Sequence, residues 1–98
     1  MGHFIITFRI KSDDDYNKRY ASFTERVSKI ASRKWEETSS FYAIEATGTA
    51  ESICSDLYVF SDFNATKDLM VVIDVDRKEK AVKGDPEYPH TLQACLGF

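Results

Sequence analysis

His3-Phe4-Ile5-Ile6-Thr7-Phe8-Arg9-Ile10 and Leu69-Met70-Val71-Val72-Ile73-Asp74-Val75 decide the fold. In the first, Phe4, Ile6, Phe8 and Ile10 fall on one face and Ile5, Thr7 and Arg9 on the other, which is a strand with apolar residues on both sides near its start. The second is apolar on both faces over Leu69 to Ile73, as expected of an inner strand. Between them the period changes twice. Tyr16, Tyr20, Phe23, Val27, Ile30 and Ala31 share one arc at about 100° per residue, predicting a helix from Tyr16 to Ile30. Asp13-Asp14-Asp15 stands before it as a set of N-cap acids.

Working outward, Ser40 to Ala46 alternates again, and a short strand around Trp35 to Glu37 is placed to pair with it. Thr49 is expected to cap a second helix carrying Ile53, Leu57 and Phe60, and Asp62 to Thr66 reads as a loop. Lys80 to Lys83 adds an edge strand. Gly84-Asp85-Pro86 and Pro89 then open an irregular tail, so the expected organisation is one domain over 1–84 and a tail over 85–98. The order strand, helix, strand or hairpin, helix, strand predicts an α+β, ferredoxin-like sandwich: an antiparallel sheet with two helices on one face. The other face would expose Ile5, Thr7, Arg9 and alternate residues of Leu69 to Val75, a patch apolar enough to predict a homodimer.

The chain has 98 residues, 43% apolar and 30% charged, with thirteen aromatics, enough for one two-layer core. Cys54 and Cys95 form no CxxC pair and read as reduced thiols in a cytoplasmic protein. The apolar run at Phe4 stops at Arg9, too short for a membrane span. A net charge of −3 hides a split: residues 1–34 carry eight basic and four acidic residues, while residues 35–98 carry five and twelve. Partners must therefore be argued from surfaces rather than from the global sign.

Several stretches together resemble the small CRISPR adaptation subunit (Cas-two) and its SinR-like and VapD-like relatives. They are Phe4 to Ile10, Tyr16 to Ile30, Ser40-Phe41-Tyr42-Ala43-Ile44 with Thr49 to Ile53, and Lys67 to Ile73. The resemblance covers roughly residues 3–84 and implies a dimer whose metal-dependent phosphodiester chemistry, where present, belongs to an aspartate after an aromatic at the end of the first strand. Here that position is Arg9, in Phe8-Arg9-Ile10. Arginine does not ligate a cation and its charge repels one. Ser40 does match the serine that opens the family's central strand.

Three constellations remain as candidates. Asp13, Asp14 and Asp15 are the substitute catalytic carboxylates, with Ser40 beside them by resemblance; helix capping is their structural reading. His3, Asp74 and Asp76 are brought together by an antiparallel pairing of first and last strands, as a metal or acid–base group. No cofactor is implied, and magnesium or manganese enters only with the nuclease alternative. Lys18, Arg19, Arg26, Lys29 and Arg33 lie within about 100° of one another on the first helix and beyond its end, a basic flank that Arg9 would extend for nucleic acid. Trp35 and Tyr88 are read as packing aromatics before base-stacking ones. The expectation is a non-catalytic nucleic-acid-binding or assembly module, with a nuclease or a structural partner-binding dimer as alternatives.

Overall fold

The computed structural model describes residues 1–98. Its elements are β1 (Gly2–Arg9), α1 (Tyr16–Ile30), β2 (Arg33–Trp35), β3 (Phe41–Ala46), α2 (Ala50–Val59), β4 (Leu69–Asp74), β5 (Glu79–Lys83) and α3 (Pro89–Leu96). The five strands form one sheet in the order β2-β3-β1-β4-β5, every neighbouring pair antiparallel. The two stretches that decide the fold are thus direct neighbours: Phe4 pairs with Asp74 and Arg9 with Leu69. This α+β architecture matches the predicted class.

Directly opposed residues in an antiparallel pair share a face. One face therefore carries Phe4, Ile6 and Phe8 of β1, Tyr42 and Ile44 of β3, and Met70 and Val72 of β4. These join Phe23 and Val27 of α1, Ile53, Cys54 and Leu57 of α2, and Phe63 in a single core. Burying one large aliphatic or aromatic side chain there is worth about 1.5–3 kcal/mol. α2 begins where Thr49 Oγ1 accepts from the Ser52 amide at 3.1 Å and Ser52 Oγ accepts from the Thr49 amide at 2.8 Å, the expected cap with its reciprocal bond.

Four expectations are corrected. The α1 arc holds for Phe23 and Val27, but Tyr20 is exposed and Arg19 is buried in its place, because Arg19 finds carboxylate partners below the helix. Asp15 occupies the N-cap without a side-chain bond, and Asp13 instead accepts from the Asp15 amide at 3.0 Å and from Arg19. Trp35 lies in β2 opposite Ala43, on the face away from the core, packed edge-on against Phe41 at 6.0 Å. The tail over 85–98 is not irregular: Pro89 starts α3 and Gly97, at φ 86°, ends it. β5 pairs with β4, Val71 opposite Val82, and forms the outer edge of the sheet.

The second sheet face carries His3, Ile5, Thr7 and Arg9 of β1 with Ala43, Glu45, Ile73 and Lys80 opposite or beside them. Lys80 Nζ donates to the Phe98 carbonyl at 2.6 Å, so the chain end returns to this face at β5. Val71, on the same face, is only 7% exposed although it is outside the main core. Toward β3 and β2 the face stays open.

Candidate functional site

At the end of β1 the chain passes beneath α1 and beside the loop that enters β4. Asp68, 1% exposed, organises this corner. It accepts from Arg19 Nε at 3.0 Å and Nη2 at 3.2 Å, from the Lys11 amide at 2.9 Å and from the Asn64 amide at 3.0 Å. Arg19 completes its donors with Asp13, at 2.9 and 3.1 Å, and with the Lys11 carbonyl at 3.0 Å. Burial raises the Asp68 carboxyl, but the Arg19 guanidinium and the two amides outweigh it and hold the group below the usual range. The same guanidinium holds Asp13 down at about 2. No buried side-chain polar atom in the molecule lacks a partner.

This arrangement redistributes the predicted site residues. Asp13 serves Arg19 and, at 3.3 Å, Lys67, while Asp14 and Asp15 point to solvent. Consecutive carboxylates thus diverge. Ser40 stands just before β3 with φ 53°, its carbonyl accepting from the Phe8 amide at 3.2 Å, and neither it nor the three acids lines a common cleft. No three His, Cys, Asp or Glu side chains converge in a way that would hold a metal ion.

The basic flank of α1 is largely paired. Arg19 is buried, a correction to its predicted role as a phosphate contact. Arg26 makes a bidentate bond to Asp56, at 2.7 and 2.8 Å, which raises its pKa, and it lies 4.7 Å over the Phe60 ring. Lys29 sits 3.5 Å from Glu25 one turn away. Lys18, Arg9 and Arg33 keep free, exposed side chains, the last two on the open sheet face. Net charge by helical angle could not reveal this, because Asp56 and Asp68 approach from other elements.

Of His3, Asp74 and Asp76, the structure brings His3 and Asp76 together and leaves Asp74 apart. Alternation places Asp74 on the core side, opposite Phe4, where Oδ1 accepts from the amides of Asp76 and Arg77, each at 3.0 Å. Strand alternation ends at Asp74, so Asp76 is free to swing to His3, whose Nδ1 lies 2.8 Å from Oδ2 and whose amide donates at 3.1 Å. The third partner is Glu45, 3.5 Å from Nε2, a residue the sequence reading missed. Its signal was available in the β1–β3 register, where His3 faces Glu45 directly. Hydrogen bonding and attraction to Asp76, then the Glu45 charge, raise the His3 pKa.

The open face holds the one broad apolar depression. Ile5, Trp35, Ala43 and Val75 line a groove of about 580 Å³, rimmed by His3, Arg33 and Glu45. Trp35 is 43% and Val75 50% exposed. No helix is long and apolar enough to cross a membrane. No family model, curated protein or solved structure matches the chain.

Proposed function

We propose that this chain is a ferredoxin-like assembly module of the Cas-two and SinR-like kind, forming a homodimer through the open sheet face rather than catalysing a reaction. The observation that carries this reading is the groove of Ile5, Trp35, Ala43 and Val75: large apolar side chains on a rigid sheet, with a polar rim, are the composition of a self-complementary interface. The strand order β2-β3-β1-β4, each pair antiparallel and both α1 and α2 on one side, supports the ferredoxin-like part of the reading. The metal-dependent nuclease alternative has less support, since Arg9 stands at the end of β1 and the nearby carboxylates serve Arg19.

Sedimentation equilibrium at micromolar concentration is expected to give about twice 11.2 kDa. Ile5→Glu combined with Val75→Glu should yield a folded monomer, because two like charges would be forced together across a two-fold axis. A wild-type monomer, or a dimer indifferent to both changes, would remove the reading. Nucleic acid contact, as a second use of the same face, rests on Arg9 and Arg33; a gel shift at low salt that is lost in R9A/R33A would support it, and no retention of RNA or DNA would remove it.

A further inference from the structure

A second depression lies away from the apolar groove, where β1 ends beside the loop entering β4. Arg9, Ile10, Lys11, Ser12, Thr66 and Lys67 line about 590 Å³ of open space there. Five of these six side chains are polar, three are cationic and none is acidic, in a chain whose formal charge is −3. Arg9 and Lys11 make no ion pair and are exposed, and Lys67 pairs with Asp13 at 3.3 Å. We propose that this pocket binds a small ligand through a diphosphate or a terminal phosphate group. The pocket shares Arg9 with the edge of the open sheet face but none of the residues that line the apolar groove proposed for assembly.

The pocket is built rather than incidental. Its two walls are the backbone around Lys11 and the loop from Asn64, and Asp68 ties them together by accepting from both amides while buried. Arg19 locks the same carboxylate and also binds the Lys11 carbonyl. Thr66 is held in turn: its amide and its hydroxyl both donate to Asn64 Oδ1, at 2.9 and 2.7 Å. The walls therefore cost little to order when a ligand arrives. Arg19 pairs with both carboxylates behind the pocket, Asp13 and Asp68, while the lining itself holds three cations and no acid.

Charge density selects the ligand. A phosphate monoester carries about −1.5 to −2 near neutral pH, and a diphosphate concentrates more, whereas a diester carries a single charge per group. Three cations lining one depression match the concentrated charge, with Arg9 able to grip two oxygens at once and Ser12 to donate a hydroxyl. A nucleic-acid strand fits less well. The pocket has no aromatic in its lining and its sole apolar residue, Ile10, is 7% exposed, so bases would find nothing to stack on.

The test uses full-length protein and sodium pyrophosphate in isothermal titration at low ionic strength, with sulfate as the matched small anion and an unphosphorylated single-stranded oligonucleotide as the third probe. Saturable one-to-one binding of pyrophosphate is expected, stronger than sulfate and weakening as salt rises. Arg9→Ala and Lys11→Ala should each lower affinity about tenfold. Arg77→Ala, the same charge change in the β4–β5 turn at the far end of the sheet, should leave it unchanged, which controls for net charge without touching the pocket. Lys67→Ala also frees Asp13, so circular dichroism accompanies it. Absence of saturable pyrophosphate binding would overturn the proposal, as would binding equal to that of sulfate or unaffected by the Arg9 and Lys11 changes. Binding of the oligonucleotide in preference to pyrophosphate would overturn it in favour of a strand-binding surface.

Discussion

Asp68 and Arg19 show how a charged pair can hold a corner of a small fold. Removing one member of a buried pair leaves the other without its counter-charge, at a cost of about 3–5 kcal/mol. Asp68→Ala should lose stability on that scale, read as a lower urea midpoint, because it also strands the Lys11 and Asn64 amides. Asp13 and Asp68 both titrate below their unfolded values. Their contribution is therefore present above the ordinary carboxylate pKa near 4 and is lost as pH falls through the lowered values, which for Asp13 is about 2. His3 has the opposite sign. Its folded pKa is raised by Asp76, so its support is complete below about 6.5 and fades as pH climbs through the raised value. The difference in denaturation midpoint between wild type and His3→Gln should accordingly shrink from pH 6 to pH 9; a constant difference would show that the ring packs without titrating. Arg19 was legible in principle, for it lies four residues before Phe23 and eight before Val27, in the row that faces the core. Its charge disguised it. Its partner lies 49 residues away in the chain, and no local pattern announces such a pair.

Elements were legible where one physical signal dominated. β1 and β4 follow from alternation and continuous apolarity, and α2 from its cap. Thr49→Ala removes the acceptor for the Ser52 amide and should cost about 1 kcal/mol in thermal or chemical unfolding, while Ser52 keeps its own bond to the Thr49 amide. A loss near zero would mean that solvent satisfies the first turn equally well. The β2 strand falls at Arg33–Trp35 instead of Trp35 to Glu37 because Ser32 already docks on the β3 end, its amide donating to the Glu45 carbonyl at 2.8 Å. That long-range bond sets the register and leaves no trace in hydropathy. α3 is hidden for a different reason: Pro89 reads as a breaker in sequence, yet at the first turn of a helix proline lacks only an amide that would be unpaired anyway.

For the molecule as a whole, the order of strands places two chemically different surfaces on one sheet. The core side is closed by α1 and α2, so the other side decides how the molecule meets its surroundings. Phe98 reaches Lys80, yet no residue of α3 is buried, and Leu92 and Leu96 are only partly covered. A segment with so little buried apolar area contributes little to global stability. Truncation after Gly84 should therefore leave the 1–84 fold intact, with unchanged sheet signal in circular dichroism and a melting temperature lower by no more than about 5 °C, the scale of roughly 1 kcal/mol in a domain this small. It should also free Lys80 and widen the open face at β5, strengthening self-association in sedimentation. Unfolding on truncation would show that the tail is part of the core rather than a cover over its sheet. An intact fold with weaker association would mean that the tail belongs to the dimer interface itself, and the groove of Ile5, Trp35 and Val75 would then be one part of a larger contact.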